Sequence, residues 1–205
     1  MKTALLTALL ATASGALSAQ PSRIGMALAG FTLLNVNGNS VRFLARSDRP
    51  TVVIFFSTRC PMSNAFNYRR NVLYHDFADR VHFVIVDSNA NEPLEEVRNY
   101  ARSVGFDFPV YRDIKNALAD QLGALMTTDT YVLDAGGVVR YHGYMEDSPH
   151  PDRAKIKGLR LAMEAVLAGR PVAMPENKAY GCTIVRASAL MMAVPDAKSQ
   201  ASVRR

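Results

Sequence analysis

The run Thr51-Val52-Val53-Ile54-Phe55-Phe56 restricts the possible folds of this chain more than any other segment. Every side chain in it is β-branched or aromatic, and polar residues do not alternate with apolar ones. Such a run reads as a strand buried on both faces. A strand of that kind needs cover above and below, which calls for helices layered on a parallel or mixed sheet. Ser57-Thr58-Arg59 then makes a short turn, and Cys60-Pro61 opens a helix expected to reach about Phe77. Pro61 suits the first helical position, where no backbone donor is needed. Met62, Phe66, Leu73 and Phe77 fall on one face of that helix.

The pattern repeats downstream. Val81 to Val86 is a second strand of the doubly buried type. A helix is expected over Pro93 to Val104, with Gly105 as its stop. Pro109 to Tyr111 reads as a short edge segment and Lys115 to Leu122 as a short helix. Thr130 to Leu133 and Val138 to His142 flank Ala135-Gly136-Gly137 as a hairpin, and Asp152 to Ala168 closes the series as a helix. Upstream, Phe31 to Leu34 and Val41 to Leu44 flank Asn37-Gly38, a pair that tolerates the positive φ of a tight hairpin turn. The fold class is therefore α/β: a mixed central sheet with helices on both faces and an N-terminal β-hairpin. Asp87 and Asp134 end strands and are expected at the same sheet edge as Cys60, in capping and turn roles.

The ends of the chain differ from its middle. Residues 1–19 combine Lys2, an apolar run from Ala4 to Leu17 and small residues around Ala19, the pattern of a secretory signal peptide. The expected location is periplasmic or secreted, in an oxidising compartment. No later segment approaches 18 consecutive apolar residues, so no membrane span is expected after the leader leaves. The globular domain is expected over residues 20–170. Residues 171–205, with Pro171, Pro175 and weak periodicity, are expected to form a partly ordered, mobile extension carrying Cys182. The formal net charge of +6 is too small to signal nucleic-acid binding.

Cys60 is the candidate catalytic residue. At a strand-to-helix junction, first-turn amides without intrahelical partners stabilise a thiolate, and Arg59 adds a formal positive charge nearby. The competing reading, an inert cysteine filling the core, fits poorly beside a turn and a proline at the carboxyl end of a strand. His75, His82, His142 and His150 are scattered, with no pair at helical zinc spacing, so no metal or cofactor is assigned. Cys182 has three open roles: a resolving thiol for Cys60, a static bridge to it, or no contact at all.

The segment Phe55-Phe56-Ser57-Thr58-Arg59-Cys60-Pro61-Met62-Ser63 resembles the active-site segment of the thioredoxin-like superfamily. It is most similar to the exported redoxin branch related to thiol-specific antioxidant proteins, and the likeness spans roughly Ile24 to Ala168. Three departures stand out. Ser63 occupies the position of a thioredoxin's second cysteine, and Asn64 that of the second cysteine in Sco-type copper chaperones. Thr128 aligns with the cis-proline of thioredoxins and should carry a trans bond. The resemblance implies a thiol-dependent oxidoreductase acting on a peroxide or a protein disulfide and reduced by an external thiol. Cys60 would be the nucleophile, with Thr58 and Arg59 as its supports, and Cys182 or an external thiol would complete the cycle. The alternative is a non-catalytic thioredoxin-fold module that binds a partner or carries a metal.

Overall fold

A computed structural model describes residues 22–44 and 46–192; the expected leader, residues 1–19, lies outside them. Seven strands form one mixed sheet: β1 Phe31–Asn35, β2 Ser40–Phe43, β3 Thr51–Phe56, β4 His82–Asp87, β5 Val110–Arg112, β6 Thr130–Leu133 and β7 Val139–Gly143. Their spatial order is β2-β1-β5-β4-β3-β6-β7. The two doubly buried runs, β3 and β4, lie side by side and parallel at the centre, as full burial on both faces requires. The N-terminal hairpin forms around Gly38 at φ +86°, a conformation that favours glycine.

Helices cover both faces. Alternate residues of β3 divide between two cores. Val52, Ile54 and Phe56 pack with α2 (Asn67–Phe77), α3 (Leu94–Ser103) and α5 (Gly158–Leu167) through Leu73, Phe77, Val97, Leu159 and Met163. Val53 and Phe55 pack on the other side with α4 (Ala117–Leu122) through Leu118 and Leu122. Burying one large aliphatic or aromatic side chain contributes about 1.5–3 kcal/mol, so the two clusters supply the main folding drive.

Several expectations need correction. The helix from Cys60 to Phe77 is two helices: α1 Pro61–Asn64 ends before α2 begins. Arg70, 1% exposed, turns back and donates through Nη1 to the Ser63 carbonyl, which takes the Phe66 amide at 3.1 Å instead of the Asn67 amide of a continuous helix. The segment at Pro109–Tyr111 is not an edge, because the hairpin pairs onto β5 from outside (Leu34 opposite Arg112) and leaves β2 exposed instead. The closing helix starts at Gly158 rather than Asp152, since the Asp147 carboxylate takes the Lys155 and Ile156 amides. Asp134 lies at the far end of the sheet from Cys60, because β6 runs antiparallel to β3 and sets Leu133 opposite Thr51.

The chain after Gly169 is not a mobile tail within the described residues. It runs back over β7 and the loop before β6 as an extended strap, then forms a short helix, α6 Ala187–Met192. Ile184, 2% exposed, plugs the second core. Among the described residues, no helix is long and apolar enough to cross a membrane.

Candidate active site

Cys60 and Cys182 form a disulfide, with their Cα atoms 5.9 Å apart across 122 residues of sequence. Their surroundings differ sharply. Cys60 is 1% exposed, while Cys182 lies on the surface. Cys60 occupies the N-cap position of α1, and its carbonyl accepts the Asn64 amide at 2.9 Å. Only four residues of helix follow, so the dipole behind the sulfur is that of a single turn.

The turn carrying Cys60 hangs on one buried carboxylate. Glu92, 2% exposed, takes the Ser57 hydroxyl on Oε1 at 2.5 Å. On Oε2 it takes the Thr58 amide and the Thr58 hydroxyl, each at 2.6 Å. Ser57 Oγ in turn accepts the amides of Arg59 and Cys60, both at 3.1 Å. The Ser57 amide is held by Ser63 Oγ, which also accepts from Arg70. The residue standing where a second local cysteine would be is thus a fully buried tie between the turn and α1.

Thr58 and Arg59 face away from the sulfur's immediate chemistry. The Thr58 hydroxyl sits between Glu92 and Glu96 Oε1, the latter at 2.7 Å. The Arg59 guanidinium forks onto both Glu96 oxygens at 2.8 and 2.5 Å, so its charge is offset there. That contact raises the Arg59 pKa and holds the Glu96 carboxyl below its ordinary value.

Beneath Glu92 lies Asp87, fully buried at the end of β4. Burial first, and then the hydrogen bond and charge of the Glu92 carboxyl, push its pKa well up against the opposing pull of Arg112. Asp87 Oδ2 itself has no hydrogen-bond partner among the described residues, which favours the neutral carboxyl. A carboxyl whose folded pKa is raised adds stability below its unfolded value, and this is lost as pH rises through the folded one. Asp87→Asn, which fixes the neutral form, therefore raises the melting temperature at neutral pH and flattens its fall between acid and neutral pH. Thermal scans across pH check this, and an unchanged profile would show Asp87 already ionised.

The same loop holds the strap. Asn89 Oδ1 accepts the Val185 amide, and the Ala90 amide donates to the Val185 carbonyl. Asn116 adds bonds to Val185 and Ala187. Nearer the disulfide, the Thr127 amide donates to the Cys182 carbonyl at 2.9 Å and the Ile184 amide to the Leu125 carbonyl at 2.8 Å. Thr128 Oγ1 donates to the Tyr180 carbonyl. The peptide bonds of the described residues are all trans, Thr128 included.

Of the residues that organise both cysteines, Asn89 and Glu92 were not candidates from sequence, and Asp87 was expected only in a capping and turn role. The available signal was a polar run, Asp87-Ser88-Asn89-Ala90-Asn91-Glu92, directly after an apolar strand; it reads as solvated loop unless its burial is known. No group of three or more His, Cys, Asp or Glu among the described residues has the arrangement to hold a metal ion.

Residues 24–142 match the AhpC/TSA family. The chain belongs to the AhpC/TSA family. No curated protein sequence matches it. An uncharacterised conserved protein from Geobacillus kaustophilus is 30% identical, with a TM-score of 0.72 over 79% of this chain and 91% of that one. A hypothetical protein from Sinorhizobium meliloti 1021 is 28% identical, with a TM-score of 0.71 over 80% and 94% of the two chains. Peroxidoxin BcpB from Mycobacterium tuberculosis, 19% identical, shares the thioredoxin-like fold (TM-score 0.52, 71% and 94% covered). As an AhpC/TSA member the chain is of the redoxin type, on the thioredoxin-like fold. The family match ends at residue 142, so α5 and the strap with Cys182 lie beyond it.

Proposed function

We propose that the protein is an exported thiol-dependent oxidoreductase whose working parts are Cys60 and Cys182. The observation that carries this reading is the pairing of a buried cysteine at a strand-to-helix junction with an exposed one on the strap. In the reductive half, an external thiolate attacks the exposed sulfur of Cys182. The S–S bond breaks, and the Cys60 sulfur leaves with the electron pair and takes up a proton. A second thiolate then attacks the reductant's sulfur in that mixed disulfide, forming the oxidised reductant as the Cys182 sulfur leaves with the electron pair and takes up a proton. In the oxidative half, the Cys60 thiolate attacks a peroxide or a substrate disulfide. With peroxide it becomes a sulfenic acid as water leaves, and Cys182 attacks that sulfur, expelling a second water and restoring the disulfide.

Mass spectrometry of the reduced chain after one equivalent of hydrogen peroxide or of a peptide disulfide tests this. The expected result is loss of two hydrogen atoms and a Cys60–Cys182 link within minutes, with Cys182→Ser stopping at a sulfenic acid or mixed disulfide on Cys60. A Cys60 thiol that persists under both oxidants overturns the reading. So does a native disulfide with a potential below about −300 mV, the range of structural bridges.

A further inference from the structure

His142 stands where the strap joins the sheet, opposite Glu176, which lies six residues before Cys182. Its own backbone pairs with the strap on both sides: the His142 amide donates to the Pro175 carbonyl at 2.9 Å, and the Asn177 amide to the His142 carbonyl at 3.0 Å. Its ring lies flat on Tyr131 of β6, with centroids 4.4 Å apart and planes 3° from parallel. Nε2 meets Asp129 Oδ1 at 3.1 Å, and Nδ1 faces Glu176 Oε1 of the strap at 3.7 Å.

Each carboxylate belongs to one half of the joint. Asp129 Oδ2 accepts the amides of Leu125 and Met126, and so builds the loop on which Cys182 is seated. Glu176 belongs to the strap. With a neutral ring, Nε2–H satisfies Asp129 while Nδ1 stays a buried lone pair turned towards a carboxylate, without a partner. A second ring proton makes Nδ1 a donor to Glu176. The opposing charges nearby are Arg23 from the N-terminal segment and Lys178 from the strap, which line the same small cavity.

We propose that His142 is a positioning residue for the redox pair: as an imidazolium it bridges Asp129 and Glu176 and clamps the strap so that Cys182 is held over Cys60. This rests on the redox-pair reading above and adds its regulation. The clamp is tightest when the ring is charged and loosens when the ring is neutral and Nδ1 no longer donates.

The test uses the full chain equilibrated in glutathione redox buffers at about pH 5.5 and about pH 8. The wild type, His142→Gln and Glu176→Gln are compared. Glutamine at 142 can still donate to Asp129 but cannot carry charge, and Glu176 is exposed enough for its variant to fold. The expected result is a disulfide about three- to tenfold easier to reduce in both variants at the lower pH, converging within about twofold at the higher. A deficit that is the same at both pH values, or none at either, overturns the clamp. If no protein exchanges with glutathione at all, the redox-pair reading fails instead. Amide exchange at Asn177 and Thr127 in the same samples then decides the clamp by itself: faster exchange in the variants at low pH alone supports it, and equal exchange overturns it.

Discussion

Cys182→Ser lowers the melting temperature of the oxidised protein by roughly 10–20 °C. The disulfide closes a 122-residue loop, and on the chain-entropy account such a loop is worth about 5 kcal/mol. For a domain of this size each kcal/mol moves the midpoint by about 2–4 °C. Reduced wild type and the serine variant should melt together, because the strap keeps its hydrogen bonds to Leu125, Thr127 and Asn89 in both. Calorimetry with and without reductant checks this. A variant melting within about 2 °C of the oxidised protein would mean that the strap's own contacts already hold the chain ends together in the unfolded ensemble.

Glu92→Ala destabilises the domain by about 3 kcal/mol and slows oxidation of Cys60 at least about tenfold. The loss follows from the donors left behind: the Ser57 hydroxyl and the Thr58 amide are buried and end on this carboxylate, while the Thr58 hydroxyl keeps Glu96. Each unsatisfied buried donor costs about 1–3 kcal/mol, so two of them set the size of the loss. The rate falls because Ser57 Oγ, no longer anchored, stops fixing the amides of Arg59 and Cys60. Glu92→Gln keeps one acceptor oxygen and should lie between wild type and alanine in both respects. Urea titrations and stopped-flow oxidation give the two numbers. An alanine variant with unchanged rate would remove Glu92 from the positioning of the nucleophile.

The readable parts of this chain were those whose physics is local. β3 and β4 announced themselves because burial on both faces leaves no polar residue between the strand ends, over Val52 to Phe55 and Phe83 to Val86. The turn at Gly38 and the helix start at Pro61 follow from backbone restrictions of single residues. The unreadable parts depended on partners far along the chain. Arg70 broke the expected helix by reaching a carbonyl seven residues back, and Asp147 captured two amides that would have begun α5. Asp134 was misplaced because strand direction, which local pattern does not encode, decides which end of the sheet a residue occupies. Glu92 escaped notice for the same kind of reason: a carboxylate in a polar loop looks solvated until the sheet edge, α3 and the Cys60 turn close over it.

The amino-acid order by itself determined a layered α/β domain with one thiol at the carboxyl end of its central strand. Side-chain periodicity and backbone sterics act over a few residues, and they settle which segments pair and which cover. What only the tertiary structure decided is the thiol's partner and its supports. Meeting across 122 residues depends on a strap whose register is fixed by amides at Thr127, Ile184 and Val185. Hydrogen bonds of that kind carry no sequence signature, because the backbone groups that make them are the same in every residue.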